Sequence, residues 1–157
     1  MACLDPEKAA SLCNRIQQET GNTQIEVRRI DLASLSSVNN FTGQLLKEGR
    51  PVSRLMNNAG ILTTPVRKTE DGLETIVSVN YVAPYMLTRQ LLPLMQPGCR
   101  IVNTVSCTYA IGGSNRTSLK KEGTDAFSAF RSIAIPNWRC YYSPKNLPND
   151  CKTKALP

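Results

Sequence analysis

No histidine occurs anywhere in the 157 residues, and the six cysteines (Cys3, Cys13, Cys99, Cys107, Cys140, Cys151) include no C-x-x-C pair. The first absence excludes any histidine-based triad or proton relay; the two together argue against a zinc site. No apolar run approaches the roughly 18 residues that a membrane span needs. The opening MACLDPEK lacks the basic-then-apolar order of a secretory leader. A reducing compartment follows as the expectation, with the cysteines acting as small hydrophobes and not as a disulfide framework. The chain is expected to be a soluble, cytoplasmic domain or part of one.

Charge is plentiful but unevenly placed. Residues 1–112 carry 11 Lys/Arg against 9 Asp/Glu, whereas residues 113–157 carry 8 against 3, so most of the net +7 lies in the tail. A basic tail can bind nucleic acid. This one has no charge stripe and no regular interleaving of aromatics, so nucleic acid is not expected as a partner.

Up to Gly112, helical and strand patterns alternate. Asp5-Pro6-Glu7 reads as an N-cap, a first-turn proline and an early acid. Ala9, Leu12, Cys13 and Ile16 follow at helical spacing until Gly21. Ile25 to Leu32 alternates as a strand. A second helix begins near Ser34 and stops at Gly49. Arg54 to Gly60 (RLMNNAG) is a short strand entering a turn. Asp71 is expected to cap a long helix running through Val77 and Asn80 to Leu94, and Arg100 to Ser106 is another apolar strand. Strands alternating with helices predict parallel βαβ units of the doubly wound α/β class. After Gly112 the periodicity fails: Pro136, Pro144 and Pro148 interrupt it and no amphipathic stretch is sustained. Two regions follow, a partial Rossmann-type domain over 1–112 and an irregular tail over 113–157.

Four segments carry a family resemblance. They are Ala2 to Ala9 (ACLDPEKA), Asn57-Asn58-Ala59-Gly60 after a strand, Val79-Asn80-Tyr81-Val82-Ala83-Pro84 in a helix, and Arg100-Ile101-Val102-Asn103 leading to Ser106. In this order and spacing the chain resembles the short-chain dehydrogenase/reductases, especially their retinol-dehydrogenase-like branch. The resemblance implies an oxidoreductase that moves hydride between NAD or NADP and a small carbonyl or alcohol substrate. It implies that Asp31 and Leu32 meet the adenine, and that Asn58, Ala59 and Gly60 form a turn against the cofactor. Asn80 would hold open its helix and position a water, and Ser106 would bond the substrate oxygen as a catalytic residue. The helix from Val77 to Leu94 would pack against a second subunit in a homodimer.

The departures from the family pattern are specific. The glycine-rich TGxxxGIG turn, which holds the pyrophosphate on backbone amides at a helix N-terminus, has no counterpart. The chain begins at what would be the end of the second strand. In the family's 3-2-1-4-5 strand order the first strand lies between the second and the fourth, so a gap with unpaired backbone on both sides is expected. Leu4 stands where many relatives carry arginine. Tyr141 and Lys145 have the spacing of the family's Tyr-x-x-x-Lys pair, but Pro144 lies between them and breaks the helix that pair requires. They read as decoys.

The genetic code supplies another origin for the tail. Codons built from the last base of one residue and the first two of the next force leucine at Asn137-Trp138, Cys140-Tyr141, Tyr141-Tyr142 and Asp150-Cys151. In the same frame a tyrosine codon can straddle Ser132-Ile133, and a lysine codon Pro136-Asn137 four codons later. A frameshift near Gly112 or Gly113 is therefore expected, with the tail out of frame. The chain as it stands would be an inactive fragment; a non-catalytic, dimerising interaction fragment is the alternative.

Overall fold

The computed structural model describes residues 1–63, 65 and 67–104, and the backbone of 152–156. It begins with β1 (Ala2–Cys3), α1 (Pro6–Thr20), β2 (Arg28–Arg29), α2 (Leu35–Glu48) and β3 (Val52–Asn57). A third helical stretch, α3, opens as an α-turn at Thr75–Val77, widens to π geometry over Ser78–Val82, and returns to α geometry over Ala83–Leu91. It closes in a 3-10 turn at Leu92–Leu94. The strands β4 (Met95–Thr104) and β5 (Lys152–Leu156) complete the described chain.

Local chemistry fixes the first two helices. Asp5 accepts the Lys8 N–H at 3.1 Å, and Pro6 occupies the first turn, where its missing N–H has no cost. Ser34 accepts the Ser37 N–H at 3.3 Å at the start of α2. Both helices end on a left-handed glycine, Gly21 at φ 70° and Gly49 at φ 66°, whose N–H returns to Gln17 and Leu45 respectively. A side chain at either position would strain the backbone.

Among the described residues the strands form two separate parallel sheets. In one, β1 pairs with β2 (Ala2 opposite Arg28, Cys3 opposite Arg29). In the other the order is β3-β4-β5, with Leu55 opposite Ile101 and Asn57 opposite Asn103. The β3–β4 register slips between Val52 and Arg54, where β4 carries Pro97, which has no N–H to donate, and Gly98 at φ 82°. The core gathers Ile30, Val38, Phe41, Ala83, Leu87, Leu91, Met95, Cys99 and Ile101 under both sheets. Between the sheets runs an apolar groove of about 380 Å³. Ala2 and Ile30 line it from one side, Val52, Leu55 and Met56 from the other, and Phe41, Leu45, Leu87 and Leu91 from below. Among the described residues no strand lies between β1 and β3.

Other expectations need correction. The strand expected over Ile25 to Leu32 shrinks to Arg28–Arg29 because β1 offers only two residues to pair with. Asp71 does not cap its own helix. Its Oδ2 accepts the Leu35 N–H at 2.9 Å, so it caps α2, and α3 starts three residues beyond Gly72 without a side-chain cap. Cys99 is not merely a small hydrophobe: it is 3% exposed and disulfide-bonded, whereas Cys3 and Cys13 are free. Lys152–Leu156, inside the tail expected to be irregular, forms a parallel strand on β4 from Lys152 opposite Arg100 to Leu156 opposite Thr104. Backbone pairing to an open strand edge needs no hydrophobic pattern, which is why pattern gave no warning of it. Among the described residues no helix is long and apolar enough to cross a membrane.

A charge cluster closes the outer end of β2. Arg28 bonds Glu48 through both guanidinium nitrogens at 2.5 and 2.8 Å and Glu26 through Nε at 2.7 Å. Arg50 bridges the same two carboxylates at 2.7 and 3.1 Å. The hydrogen bond from Arg50, then that from Arg28, holds the Glu26 carboxyl below its ordinary range, and the bond from Arg28 does so for Glu48. A carboxyl lowered on folding stabilises the fold in full above its unfolded value of 4.5 and loses that contribution as pH falls through the folded value. Thermal melts at low salt should therefore show stability dropping below about pH 4.5. Glu48→Gln should flatten that part of the profile, and added salt should shrink it because the cluster is solvent-accessible.

Candidate functional site

The site is assembled at the C-terminal ends of β2 and β3. β3 delivers Asn57, whose Nδ2 donates to Asn103 Oδ1 at 2.8 Å and to Thr88 Oγ1 at 3.1 Å. Asn103 and Thr88 are buried, so this polar knot fixes the exit of β3 against β4 and α3 with its polar groups satisfied. One residue on, Asn58 Oδ1 accepts from Thr104 Oγ1 at 3.0 Å. The turn Asn58-Ala59-Gly60 leaves from this anchored point.

Asn80 holds the far side of the turn. Its Oδ1 accepts the Ile61 N–H at 2.8 Å and its Nδ2 donates to the Ile61 carbonyl at 2.9 Å. One side-chain amide thus satisfies both backbone groups of one residue. Asn80 sits in the π-turn Ser78–Val82, where the helix is locally widened. What the sequence did not disclose is the partner, Ile61, nineteen residues earlier. At Gly60 an added Cβ would lie 3.5 Å from Asn80 Oδ1, an ordinary contact, and the backbone there is not left-handed. Among the described residues, packing does not demand a glycine at that point.

On the β2 side, Asp31 Oδ1 accepts the Ala33 N–H at 2.8 Å, while the Asp31 N–H donates to Ser37 Oγ at 2.9 Å. The Leu32 carbonyl accepts from Ser78 Oγ at 3.1 Å, tying the end of β2 to the π-turn. Leu32, Asn58 and Ala59 line the same groove. Asp31 instead lines a separate polar cleft of about 820 Å³ with Ser34, Ser37 and Glu70. The structure therefore brings together Leu32, Asn58, Ala59, Gly60 and Asn80, and sets Asp31 to one side. Ser106, Tyr141 and Lys145 lie outside the described residues.

Reasoning from sequence missed Asn57, Asn103, Thr88 and Ser78. Asn57 and Asn103 fall within the quoted segments, and their shared strand register was the available signal. Ser78 gave none. Asn80→Ala should cost about 1–3 kcal/mol in urea unfolding, since both Ile61 backbone groups lose a partner. Asn80→Asp, which keeps the acceptor, should cost less. Hydrogen exchange at the Ile61 amide should quicken in the alanine variant alone; unchanged exchange there would show that the clamp does not hold the turn.

Comparison with known proteins agrees with this geometry. The family model described as short chain dehydrogenase matches residues 2–118. Human retinol dehydrogenase 11 is 36% identical over 124 residues, covering 78% of this chain and 39% of that protein. Bovine retinol dehydrogenase 12 is 36% identical over 114 residues, 71% of this chain and 36% of that protein. The chain thus spans about two fifths of the length of these relatives. Among solved structures, an uncharacterised Mycobacterium paratuberculosis protein superposes with a TM-score of 0.70 at 29% identity, over 85% of this chain and 47% of that one. An alcohol dehydrogenase from Thermococcus sibiricus, complexed with 5-hydroxy-NADP, superposes at 0.67 with 14% identity, over 99% of this chain and 62% of that one, a likeness of fold alone. With the anchored turn, the Asn80 clamp and the parallel α/β topology in place, the chain belongs to the short-chain dehydrogenase family.

Proposed function

We propose that this chain carries one wall of an NAD(P)-dependent oxidoreductase site, of the kind that moves hydride between nicotinamide and a carbonyl or alcohol, and that the chain by itself does not turn over. The observation that carries the reading is the turn Asn58-Ala59-Gly60, anchored by Thr104 and held through Ile61 by Asn80. It stands at the carboxyl end of a parallel strand beside the groove, where open α/β sheets take their ligands. Packing among the described residues does not account for Gly60, and a ligand against the turn would account for it.

The fit to a dinucleotide is partial. The turn and Leu32 suit the flat, weakly polar parts of such a cofactor. The pyrophosphate finds no match among the described residues, because the groove is lined by apolar side chains and two asparagines, with no cation or glycine-rich helix start. No chemical step is derived through the cofactor for that reason. Leading candidates for proton transfer are also wanting: Tyr141 and Lys145 are separated by Pro144, and the alternative frame supplies the family's pair instead. The reading holds residues 113–157 to be out-of-frame translation. In its support, the family match stops at residue 118, six beyond Gly112.

Titration of the full chain with NADPH, followed by fluorescence, should show no saturable binding in the micromolar range and no oxidation with carbonyl substrates. Tyr141→Phe should change nothing. Loss of the acid/base alone removes typically 10²–10⁴-fold, and loss of cofactor orientation multiplies it. NADPH oxidation that Tyr141→Phe abolishes would overturn the reading, and sequencing the gene across the Gly113 codon would test the frame directly.

A further inference from the structure

We infer that Pro84 is a positioning residue of the site. It enforces the π-turn over Ser78–Val82 and, through Ser78 and Asn80, makes the turn after β2 and the turn after β3 hold as one unit. In regular α geometry the Asn80 carbonyl would take its hydrogen bond from the N–H four residues on, at position 84. Proline has no N–H to give there, and its ring would crowd that same carbonyl. The helix answers by widening: the Ala83 N–H donates to the Ser78 carbonyl, five residues back. Regular α geometry resumes over Ala83–Leu91, with Pro84 in the first turn of the resumed segment, the one place where a missing N–H costs little.

Two side chains convert the widening into a coupling. Ser78 and Asn80 stand two positions apart, so they leave the helix in different directions. Ser78 Oγ donates to the Leu32 carbonyl at 3.1 Å, and Asn80 grips both backbone groups of Ile61 at 2.8 and 2.9 Å. Ser78 is 0% exposed, so its hydroxyl finds no water in place of Leu32. A return to α geometry would turn the helix before Ala83 by one residue, about 100°. Ser78 and Asn80 would swing together and both ties would break at once. Pro84 is buried and lines the groove with Leu32, Asn58 and Ala59, so the residue that sets the turn borders the space whose two rims it aligns. The coupling is a property of the chain alone; its use in seating a cofactor rests on the wall proposed above.

The test is hydrogen exchange by NMR on the full chain without ligand, read at the Ala33 and Ile61 amides, which donate to Asp31 Oδ1 and Asn80 Oδ1. Pro84→Ala restores an N–H at position 84. Exchange at both amides should quicken together, by about tenfold relative to α2 amides such as Thr42, and the Leu32 carbonyl carbon should shift upfield as it loses its hydroxyl donor. Pro93→Ala, at an exposed proline in the closing 3-10 turn, should move neither amide. If the space left by the ring unfolds the alanine variant, Pro84→Val fills it and restores the same N–H. In the unaltered proline background, Ser78→Ala should quicken Ile61 as well as Ala33, although Ser78 does not bond Ile61. Exchange that quickens at one amide alone would show two independent turns and overturn the proposal. So would a Pro84 variant in which neither amide moves, or one that speeds all of α2 and α3 equally, since that is loss of stability without positioning. Absence of NADPH binding bears on the cofactor wall and leaves this coupling standing.

Discussion

The contact between α2 and α3 is the one on which the rest of this molecule depends. No backbone hydrogen bond among the described residues joins the β1–β2 pair to the β3–β4–β5 sheet. What keeps them in one body is the apolar layer beneath: Val38 and Phe41 from α2 meet Ala83, Leu87 and Leu91 from α3, with Ile30 and Ile101 reaching in from the two sheets. Each such side chain contributes on the order of 1.5–3 kcal/mol on burial. Polar ties register the helices. Thr42 Oγ1 meets Gln90 Oε1, and Gln90 Nε2 donates to Asn39 Oδ1 at 2.7 Å. The half-sheets are held from below, by side chains, where a complete sheet would be held edge to edge.

That arrangement explains why α3 can carry a π-turn without loss of its core face. Ile76, Val77, Ser78, Val79 and Tyr81 are buried through the widened segment, and Ala83, Leu87 and Leu91 resume on the far side at regular helical spacing. The widening costs local hydrogen-bond quality and places Asn80 where its amide spans both groups of Ile61. Ser78, in the same turn, reaches the Leu32 carbonyl. One irregular helical turn therefore ties down the chain after β2 and the chain after β3, the two segments that flank the groove at its functional end.

How much of this was legible depended on whether the signal was local. Helix limits at Asp5, Gly21, Ser34 and Gly49 are written in the capping residues themselves, because a cap acts within four residues of its own backbone. The parallel class followed from element order and from the family resemblance. Asp71 misled because an acid before an apolar run reads as a cap, and nothing in the sequence says that it serves a helix 36 residues earlier. The length of β2 was illegible for a related reason: alternation from Ile25 to Leu32 reports suitability for a strand, while the two-residue β1 decides how much of it pairs. The partner of Asn80 was hidden likewise, since a side-chain amide that grips distant backbone leaves no spacing of its own.

Stability and ligand binding consequently separate along the groove. The core below it needs only apolar side chains of roughly the right size, and these come from α2, α3 and β4, with Ile30 from the end of β2. A dinucleotide site needs groups converging from both sheets and from the strand that would lie between them, with donors aimed at phosphate. Of that set the described chain supplies the anchored turn and little else. Hydrophobic packing is tolerant and additive, whereas phosphate recognition is directional and needs every face of its cradle at once, so the two are carried by different parts of the fold. Among the described residues, the floor of the groove belongs to the tolerant part, the packing, and its rim to the directional part, the anchored turn.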